Sequence, residues 1–379
     1  MRVLLLDTAF AAAPLYDALT AQGHDVWTVG NRPADVLAKK AGIRWIYEDY
    51  SKQKEIAAHA RRLSIERAVP GCTDVSMETH VALALAPLLT DSLYVNRCLT
   101  NKAEFRALCV ALDLAAPKVL SPRDFPMQGR FICKPVDGFS GRGITIFDGN
   151  DNEAIASAWA TAIAESPSAT ALIETCVSGD LYSCSAFIEG HRVRSAFYVR
   201  EGASCHPFAV DTSYIVSDFP SDAARILEEA LRKISVALGL RAGLLHIQFI
   251  LEDGQPFIIE AARRCPGDLY GLLVEYSSGF PYAAEYASYF LGLRSARPIM
   301  QRRFVLRHTV ASVSGVIYGG LRLGIPLVVR AFIPLQVTGQ ELTARQGTRA
   351  GVLFCEFESY HQLQCAYDEF LARRVYELS

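Results

Sequence analysis

The sequence predicts a mixed α/β and α+β chain. Three observations carry that expectation. The first thirty residues run strand, helix, strand, which makes a small parallel sheet. A glycine-rich stretch, Lys134 to Gly143, lies between two apolar runs, Gly129 to Cys133 and Ile144 to Phe147, so it joins two strands. Further on, a hairpin brings Gln248 and Glu260 together, and two arginines follow it.

Taken in order, Val3 to Leu6 is a buried strand, Ala11 to Gln22 a helix closed by Gly23, and Val26 to Val29 a second strand. Glu55 to Leu63 reads as helix and Ala68 to Gly71 as the end of a strand. Cys72, Thr73 and Asp74 follow at its carboxyl end, where open α/β sheets bind ligands. Asp74 is therefore a substrate candidate; the competing reading, weighted two to one, is a cap for a helix starting near Ser76. Asn101 opens a helix with Lys102 in its first turn, where positive charge opposes the helix dipole and suits an anion; the bland alternative is a solvated surface lysine. Residues 117–126 connect.

Asn152 to Glu165 reads as helix, Ala171 to Glu174 as strand, and Thr175 to Asp180 as a bend. Leu181 to Ile188 and Arg192 to Val199 form a hairpin around Glu189-Gly190. Asp222 to Leu238 is a helix ended by Gly239. Leu244 to Leu251 and Pro256 to Glu260 are strands joined by the turn at Glu252 to Gln255. Leu269 to Leu291 is mostly helical, and residues 300–379 carry short strands and a late helix near His361 to Ala372.

Bulk properties exclude several classes. With 379 residues the chain is long enough for two or three cores, and 51% apolar with 21% charged residues is ordinary globular composition. A net charge of −2 gives no footprint for nucleic acid or an anionic membrane. The 10 cysteines include no Cys-x-x-Cys pair, so zinc-ribbon and thioredoxin readings fail. The apolar run at the start is too short for a signal peptide, and no stretch is long enough to span a membrane. A reduced, cytoplasmic location is expected.

The chemistry-bearing residues fall in two groups. In the loop, glycines around a serine let the backbone approach an anion and aim N–H groups at it, and Lys134 adds a point charge for phosphate. Neither a Walker A pattern nor a dinucleotide fingerprint is present. In the hairpin, His246 and Gln248 share a face and Glu260 ends the partner strand. An oxygen pair such as Gln248 and Glu260 suits Mg²⁺, which takes one or two protein oxygens plus phosphates. Arg263 and Arg264 could clamp phosphate or carboxylate, and the competing reading pairs Glu260 with one of them. His246 is more often a hydrogen-bonded structural histidine on such a strand.

Together these residues resemble the ATP-grasp superfamily, in the carboxylate–amine ligase branch of biotin carboxylase-like and L-amino acid ligase-like enzymes, over about residues 1–300. The resemblance implies a Rossmann-like preATP-grasp domain (1–98), a two-lobed ATP-grasp core (99–300) and a C-terminal accessory domain (301–379). It implies that Lys102 and Lys134 hold ATP phosphates, that the loop with Gly138, Ser140, Gly141 and Gly143 covers them, and that Glu174, Thr175 and Val177 read adenine largely through backbone groups. Asp180 stands for the ribose-binding acid. Gln248 and Glu260 are the Mg²⁺ pair, with Mn²⁺ as a substitute. Arg264 holds substrate carboxylate or the acyl-phosphate intermediate and, with Lys134, serves catalysis. Arg263, Gly267, Asp74 and His246 complete the substrate list. Two positions depart from the pattern: Gln248 where many members have glutamate, and Ala262 where asparagine is usual.

The implied reaction joins a small-molecule carboxylate and an amine into an amide through an acylphosphate, releasing ADP and phosphate. The alternatives are a carboxylase or purine-pathway enzyme, and a degenerate ATP-binding protein motivated by Gln248 and Ala262. No nucleic-acid or membrane partner is expected; a homodimer is possible. Tyr198, Asp211 and Ser213 are expected to wall the pocket, and Arg345 and Arg349 to lie in a solvated loop.

Overall fold

The structure is a computed structural model that describes residues 1–86, 89–138, 141–293, 300–343 and 348–379. Strands β1 (Arg2–Leu6), β2 (Asp25–Gly30), β3 (Trp45–Tyr47) and β4 (Arg67–Pro70) form a parallel sheet in the order β3-β2-β1-β4. Strand β1 is apolar from Val3 to Leu6 because both its faces are covered. Val3 and Leu5 pack with Leu15 and Leu19 of helix α1 (Ala13–Ala21) and Leu37 of α2 (Val36–Ala41). Leu4 and Leu6 face Ile56 and Ala60 of α3 (Gln53–Arg62). After β4, Thr73 caps α4 (Asp74–Leu83) by accepting from Ser76 N, so the cap is Thr73 and not Asp74. That leaves the Asp74 carboxylate available elsewhere.

Helix α5 (Leu93–Thr100) turns at Asn101 into α6 (Lys102–Ala111); Asn101 Oδ1 accepts from both Ala103 N and Glu104 N at 3.1 Å. A four-stranded antiparallel sheet follows: β5 (Val119–Leu120), β6 (Arg130–Pro135), β7 (Thr145–Asp148) and β8 (Ala171–Thr175), ordered β5-β8-β6-β7. The segment read as mere connection thus contributes an edge strand. Helix α7 (Asn152–Ala164) covers this sheet through Ile155, Ala158 and Ala162, packed on Phe131, Cys133 and Ile173.

The largest sheet has eight antiparallel strands. It comprises β9 (Asp180–Glu189), β10 (Arg192–Gly202), β11 (Thr212–Ile215), β12 (Gly243–Glu252), β13 (Gln255–Ala262) and β14 (Phe304–Ala311). The short strands β15 (Val316–Ile317) and β16 (Leu321–Leu323) precede its member β17 (Val328–Pro334), and β18 (Glu341–Leu342) precedes its last, β19 (Arg349–Phe357). The order is β13-β12-β9-β10-β11-β14-β19-β17, so strands from both sides of residue 300 share one sheet. Short pairs β15-β18 and β16-β20 (Tyr376–Leu378) lie outside it.

Strand alternation gives this sheet two faces. Cys184, Ala186, Leu245, Ile247 and Phe249 pack under α8 (Ser221–Ala237). The opposite face carries Phe187, Phe197 and Val199 under α9 (Tyr270–Ser278) and α10 (Tyr282–Leu291), whose other sides meet β1 and α1. Helix α11 (Tyr360–Leu371) packs on β14 and β19 through Leu363, Tyr367 and Phe370. No helix among the described residues is long and apolar enough to cross a membrane.

Candidate active site

The site lies where the ends of the two antiparallel sheets and of the parallel sheet converge. At its inner end a buried charge cluster spans both lobes. Lys134 sits on β6, and the register Ile132↔Glu174 puts Glu174 of β8 diagonally beside it. Lys134 Nζ lies 2.5 Å from Glu174 Oε2, and Arg106 Nε of α6 lies 2.6 Å from Oε1. Arg106 Nη2 donates to Ile259 O of β13 at 2.7 Å. All three side chains are buried. Burial pulls the Lys134 ammonium below its ordinary value; Glu174 resists and Arg106 assists. Two cations on one carboxylate leave an excess positive charge here, as a polyphosphate would require.

Lys102 is not a solvated lysine. It is buried, its Nζ donates to Gly138 O at 2.8 Å and its backbone N–H to Val136 O at 3.1 Å. The start of α6 is thereby fastened to the base of the glycine loop. The same Nζ lies 3.5 Å from Glu260 Oε1, which ties the loop to β13. Glu260 pairs with this lysine and with neither following arginine. Burial works to raise the Glu260 carboxyl, but Lys102, Lys134 and Arg106 outweigh it and hold it below the usual range.

In the loop, Gly141 has φ +69°, and a Cβ there would stand 2.6 Å from Phe208 O. Gly143 (φ +68°) and Gly138 have no room for a side chain against Glu165 and Pro135. Ser140 lies outside the described residues. Asp137 anchors the loop base, accepting from Ser166 Oγ at 2.5 Å and Ser168 N at 3.0 Å.

Glu174 departs from the expectation of a backbone reader. Its main chain lies in the ladder between β5 and β6, and its side chain carries its role. Thr175 closes the strand, bonding Lys118 through backbone and Oγ1. Val177 stands in the connection to β9. There Gly179 (φ +134°) runs so close to β12 that a Cβ would lie 2.3 Å from Leu251 O. Asp180 begins β9 with an exposed carboxylate, ion-paired to Arg200.

Gln248 and Glu260 are direct register partners on β12 and β13, so their side chains share a face. No group of three His, Cys, Asp or Glu suited to a metal occurs among the described residues. Gln248 Nε2 donates to Glu201 Oε2 of β10 at 2.7 Å. Glu201 was not foreseen. Burial pushes its carboxyl up to about 7; Asp268 adds to this, while bonds from Ser183 and Gln248 and the charge of Arg307 oppose it.

At the outer end, Arg264 makes a two-point contact with Asp74: Nε–Oδ1 2.6 Å and Nη2–Oδ2 3.1 Å. Burial works to lower the Arg264 guanidinium, and Asp74 more than reverses it. Gly267 passes Cys72 O, 3.7 Å from where its Cβ would stand. Arg263 turns away from this group. Its Nε meets Asp91 Oδ2 at 2.7 Å, and Nη1 and Nη2 donate to Leu244 O and Arg241 O, so its donors already have partners. It clamps β12 to the segment after α4 and does not suit substrate. His246 is buried, with Nδ1 2.9 Å from Ser185 Oγ, which also contacts Tyr282 Oη. Burial lowers it to about 4, and its ring packs edge-on against Tyr270, 5.1 Å between centroids.

Arg307 was missed as well. Wholly buried on β14, it donates from Nε to Ser213 Oγ at 2.8 Å and lies 2.9 Å from Asp268 Oδ2. Its Nη2 is buried without a hydrogen-bond partner among the described residues. Arg349 is half-buried beside it; burial and Arg307 lower it and Asp268 resists, so it belongs to this cluster rather than to a solvated loop. Arg345 lies outside the described residues. Ser213 faces the cluster, but Tyr198 points to the other face and stacks on Phe219 at 4.3 Å. Asp211 caps the turn at Ser204 and Cys205.

Residues 127–270 match the family model described as an ATP-grasp domain. That stretch is an ATP-grasp domain. Solved structures agree over the whole length of the chain. Phosphoribosylglycinamide synthetase from Anaerococcus prevotii superposes with a TM-score of 0.76 at 15% identity, covering 100% of this chain and 99% of that one. L-amino acid ligase from Bacillus licheniformis gives 0.77 at 14%, again over 100% and 99%. The biotin carboxylase domain of Hydrogenobacter thermophilus 2-oxoglutarate carboxylase, in complex with MgADP, ADP and bicarbonate, gives 0.76 at 13%, over 100% and 90%. At such identities the likeness is one of fold. No curated protein sequence matches.

Within an ATP-grasp domain the donor set has a consistent chemistry. Glu260 keeps its charge through three neighbouring cations, and Gln248 adds a neutral oxygen. One anion and one amide fit Mg²⁺ only in company with phosphate oxygens. Neither Glu201 nor Arg307 had a spacing signal, because each comes from a strand that pairs outside the motif-bearing hairpin.

Proposed function

We propose that this protein, with its ATP-grasp domain, is an ATP-dependent ligase that joins a carboxylate to an amine as an amide through an acylphosphate. Its cytoplasmic location and small-molecule partners follow from that reading. One observation supports it most: Gln248 and Glu260, partners on one sheet face, stand between cations for phosphate supplied by α6 and β6, with Lys102 3.5 Å from Glu260, and the buried Arg307 paired with Asp268.

Lys134 and Lys102 would meet the ATP phosphates, and the loop amides of Gly138, Gly141 and Gly143 would close over them. The backbone after Glu174 would border adenine, and Asp180 would take ribose once released from Arg200. Gln248 and Glu260 would hold Mg²⁺, which would supply charge neutralisation on the phosphates. Arg264 would orient the substrate carboxylate for in-line attack, with Asp74 fixing its guanidinium. The buried Nη2 of Arg307 offers a second donor to the carboxylate or acylphosphate oxygens. Loop closure would exclude water from the acylphosphate. No side chain stands out as a general base: the His246 ring is packed on Tyr270 and hydrogen-bonded to Ser185.

The test is ADP and phosphate release with Mg²⁺-ATP over a panel of amino acids, singly and in pairs, with mass spectrometry of the products. Release confined to particular pairs, with a condensed mass, is the expected outcome. ADP release that needs no acceptor pair, or that depends on bicarbonate, overturns the amide-ligase reading.

A further inference from the structure

We propose that Glu201 is a positioning residue that sets the Gln248 amide, turning its carbonyl oxygen toward Glu260 as a metal ligand and its NH₂ away. This rests on the reading that Gln248 and Glu260 hold the divalent ion.

A glutamine side chain has a donor and an acceptor on one planar group, and turning it over exchanges them. Only the oxygen can bind a cation; the NH₂ end would repel it. A glutamate at the same place would have no such ambiguity, so a glutamine ligand needs something to choose its orientation. The sheet provides it. The strands run β13-β12-β9-β10, which places Glu260 on one side of Gln248 and Glu201 on the other. Gln248 Nε2 donates to Glu201 Oε2 at 2.7 Å. With the nitrogen drawn toward β10, the oxygen is left facing β13, where Glu260 is the register partner. Glu201 is itself held: it is 5% exposed, on the sheet face it shares with Val199 and with Val199's register partner Ser183 of the intervening β9. A carboxyl keeps an oxygen that accepts from Nε2 whether or not it is protonated. Partners that orient metal ligands commonly change affinity 10- to 100-fold when removed.

The experiment measures Mn²⁺ affinity by electron paramagnetic resonance with saturating ADP, and ADP affinity separately in EDTA. Glu201→Gln is expected to weaken Mn²⁺ binding about 10-fold or more, since the new amide no longer selects one orientation of Gln248. ADP binding in EDTA should be unchanged. The reciprocal double variant Glu201→Gln with Gln248→Glu is expected to restore Mn²⁺ affinity, because the amide introduced on β10 then donates to an anionic ligand on β12. A Glu201→Gln protein with undiminished Mn²⁺ affinity overturns the proposal. So does a Gln248→Glu protein that loses as much Mn²⁺ affinity on adding Glu201→Gln as the native chain does, since a carboxylate ligand needs no orienting partner; if Glu201→Gln folds poorly, Glu201→Ala is read in the same way, and undiminished Mn²⁺ affinity there overturns the proposal. Glu260→Gln is the control: unchanged Mn²⁺ affinity there removes the metal pair itself, and the proposal with it.

Discussion

Lys134 and Glu174 are joined by one ion pair, yet the consequences of removing them differ. Glu174 serves two cations, whereas Lys134 serves one anion that has a second partner in Arg106. Lys134→Ala leaves the Glu174–Arg106 pair intact, so the fold should survive while ATP turnover is abolished. Glu174→Ala leaves two buried cations facing each other without their carboxylate. Breaking a buried pair in this way costs about 3–5 kcal/mol. Urea unfolding should therefore show a large loss for Glu174→Ala and a much smaller one for Lys134→Ala. Equal losses would mean that the three charges do not act as a unit. Arg264 offers a second contrast. Arg264→Ala should raise KM for the acid substrate at least about 10-fold with ATP affinity in EDTA unchanged, because its partner is Asp74 and not the phosphate-side cations. Unchanged substrate kinetics would take Arg264 out of the site.

At the scale of elements, the glycine loop is where local sequence and tertiary contact coincide. Gly141 needs a positive φ, which any chain can signal by using glycine, but it also passes within 2.6 Å (from an ideal Cβ) of the Phe208 carbonyl. Gly141→Ala should therefore displace the loop from the 204–211 turn. The expected result is at least a tenfold loss of kcat/KM for ATP with the unfolding midpoint shifted by little, since the loop lies outside the cores; wild-type turnover would show that the loop tolerates the displacement. The same distinction explains what the sequence disclosed. Helices, the two hairpins and the parallel sheet were legible because each rests on short-range periodicity and turn chemistry. The pairing of Gln248 with Glu260 was legible because one tight turn sets its register. The sharing of one sheet by β9 and β19, or the approach of Glu201 and Arg307 to that pair, depends on strand order between segments far apart in the chain. Arg263 misled for a related reason. It adjoins Arg264, but the change of direction after β13 sends the two guanidinium groups to Asp91 and to Asp74.

At the scale of the whole molecule, the N-terminal domain and the core meet at a half-buried histidine. His80 of α4 lies edge-on to Phe290 of α10, with ring centroids 4.9 Å apart. Burial lowers it from 6.5 to about 4, against a hydrogen bond with the Ala68 backbone that works the other way. His308, buried between Thr212 and Tyr376, is likewise lowered to about 4 by burial, with Arg307 and Arg373 assisting and Asp211 opposing. The sign of the linkage follows. Between about 6.5 and about 4 the unfolded chain binds protons that these folded-state imidazoles refuse, so acidification favours unfolding. Stability attributable to each is present above pH 6.5 and is lost as pH falls toward 4. At about 1.36 kcal/mol per pH unit the loss from one such group is at most roughly 3 kcal/mol. Urea midpoints at about pH 7.5, 6 and 5 should therefore decline for the native chain. His80→Gln cannot take up a proton in either state, so its decline over the same range should be visibly shallower. Parallel declines for the two proteins would mean that His80 is already solvated in the folded state, and that the contact between α4 and α10 opens well before the sheets do.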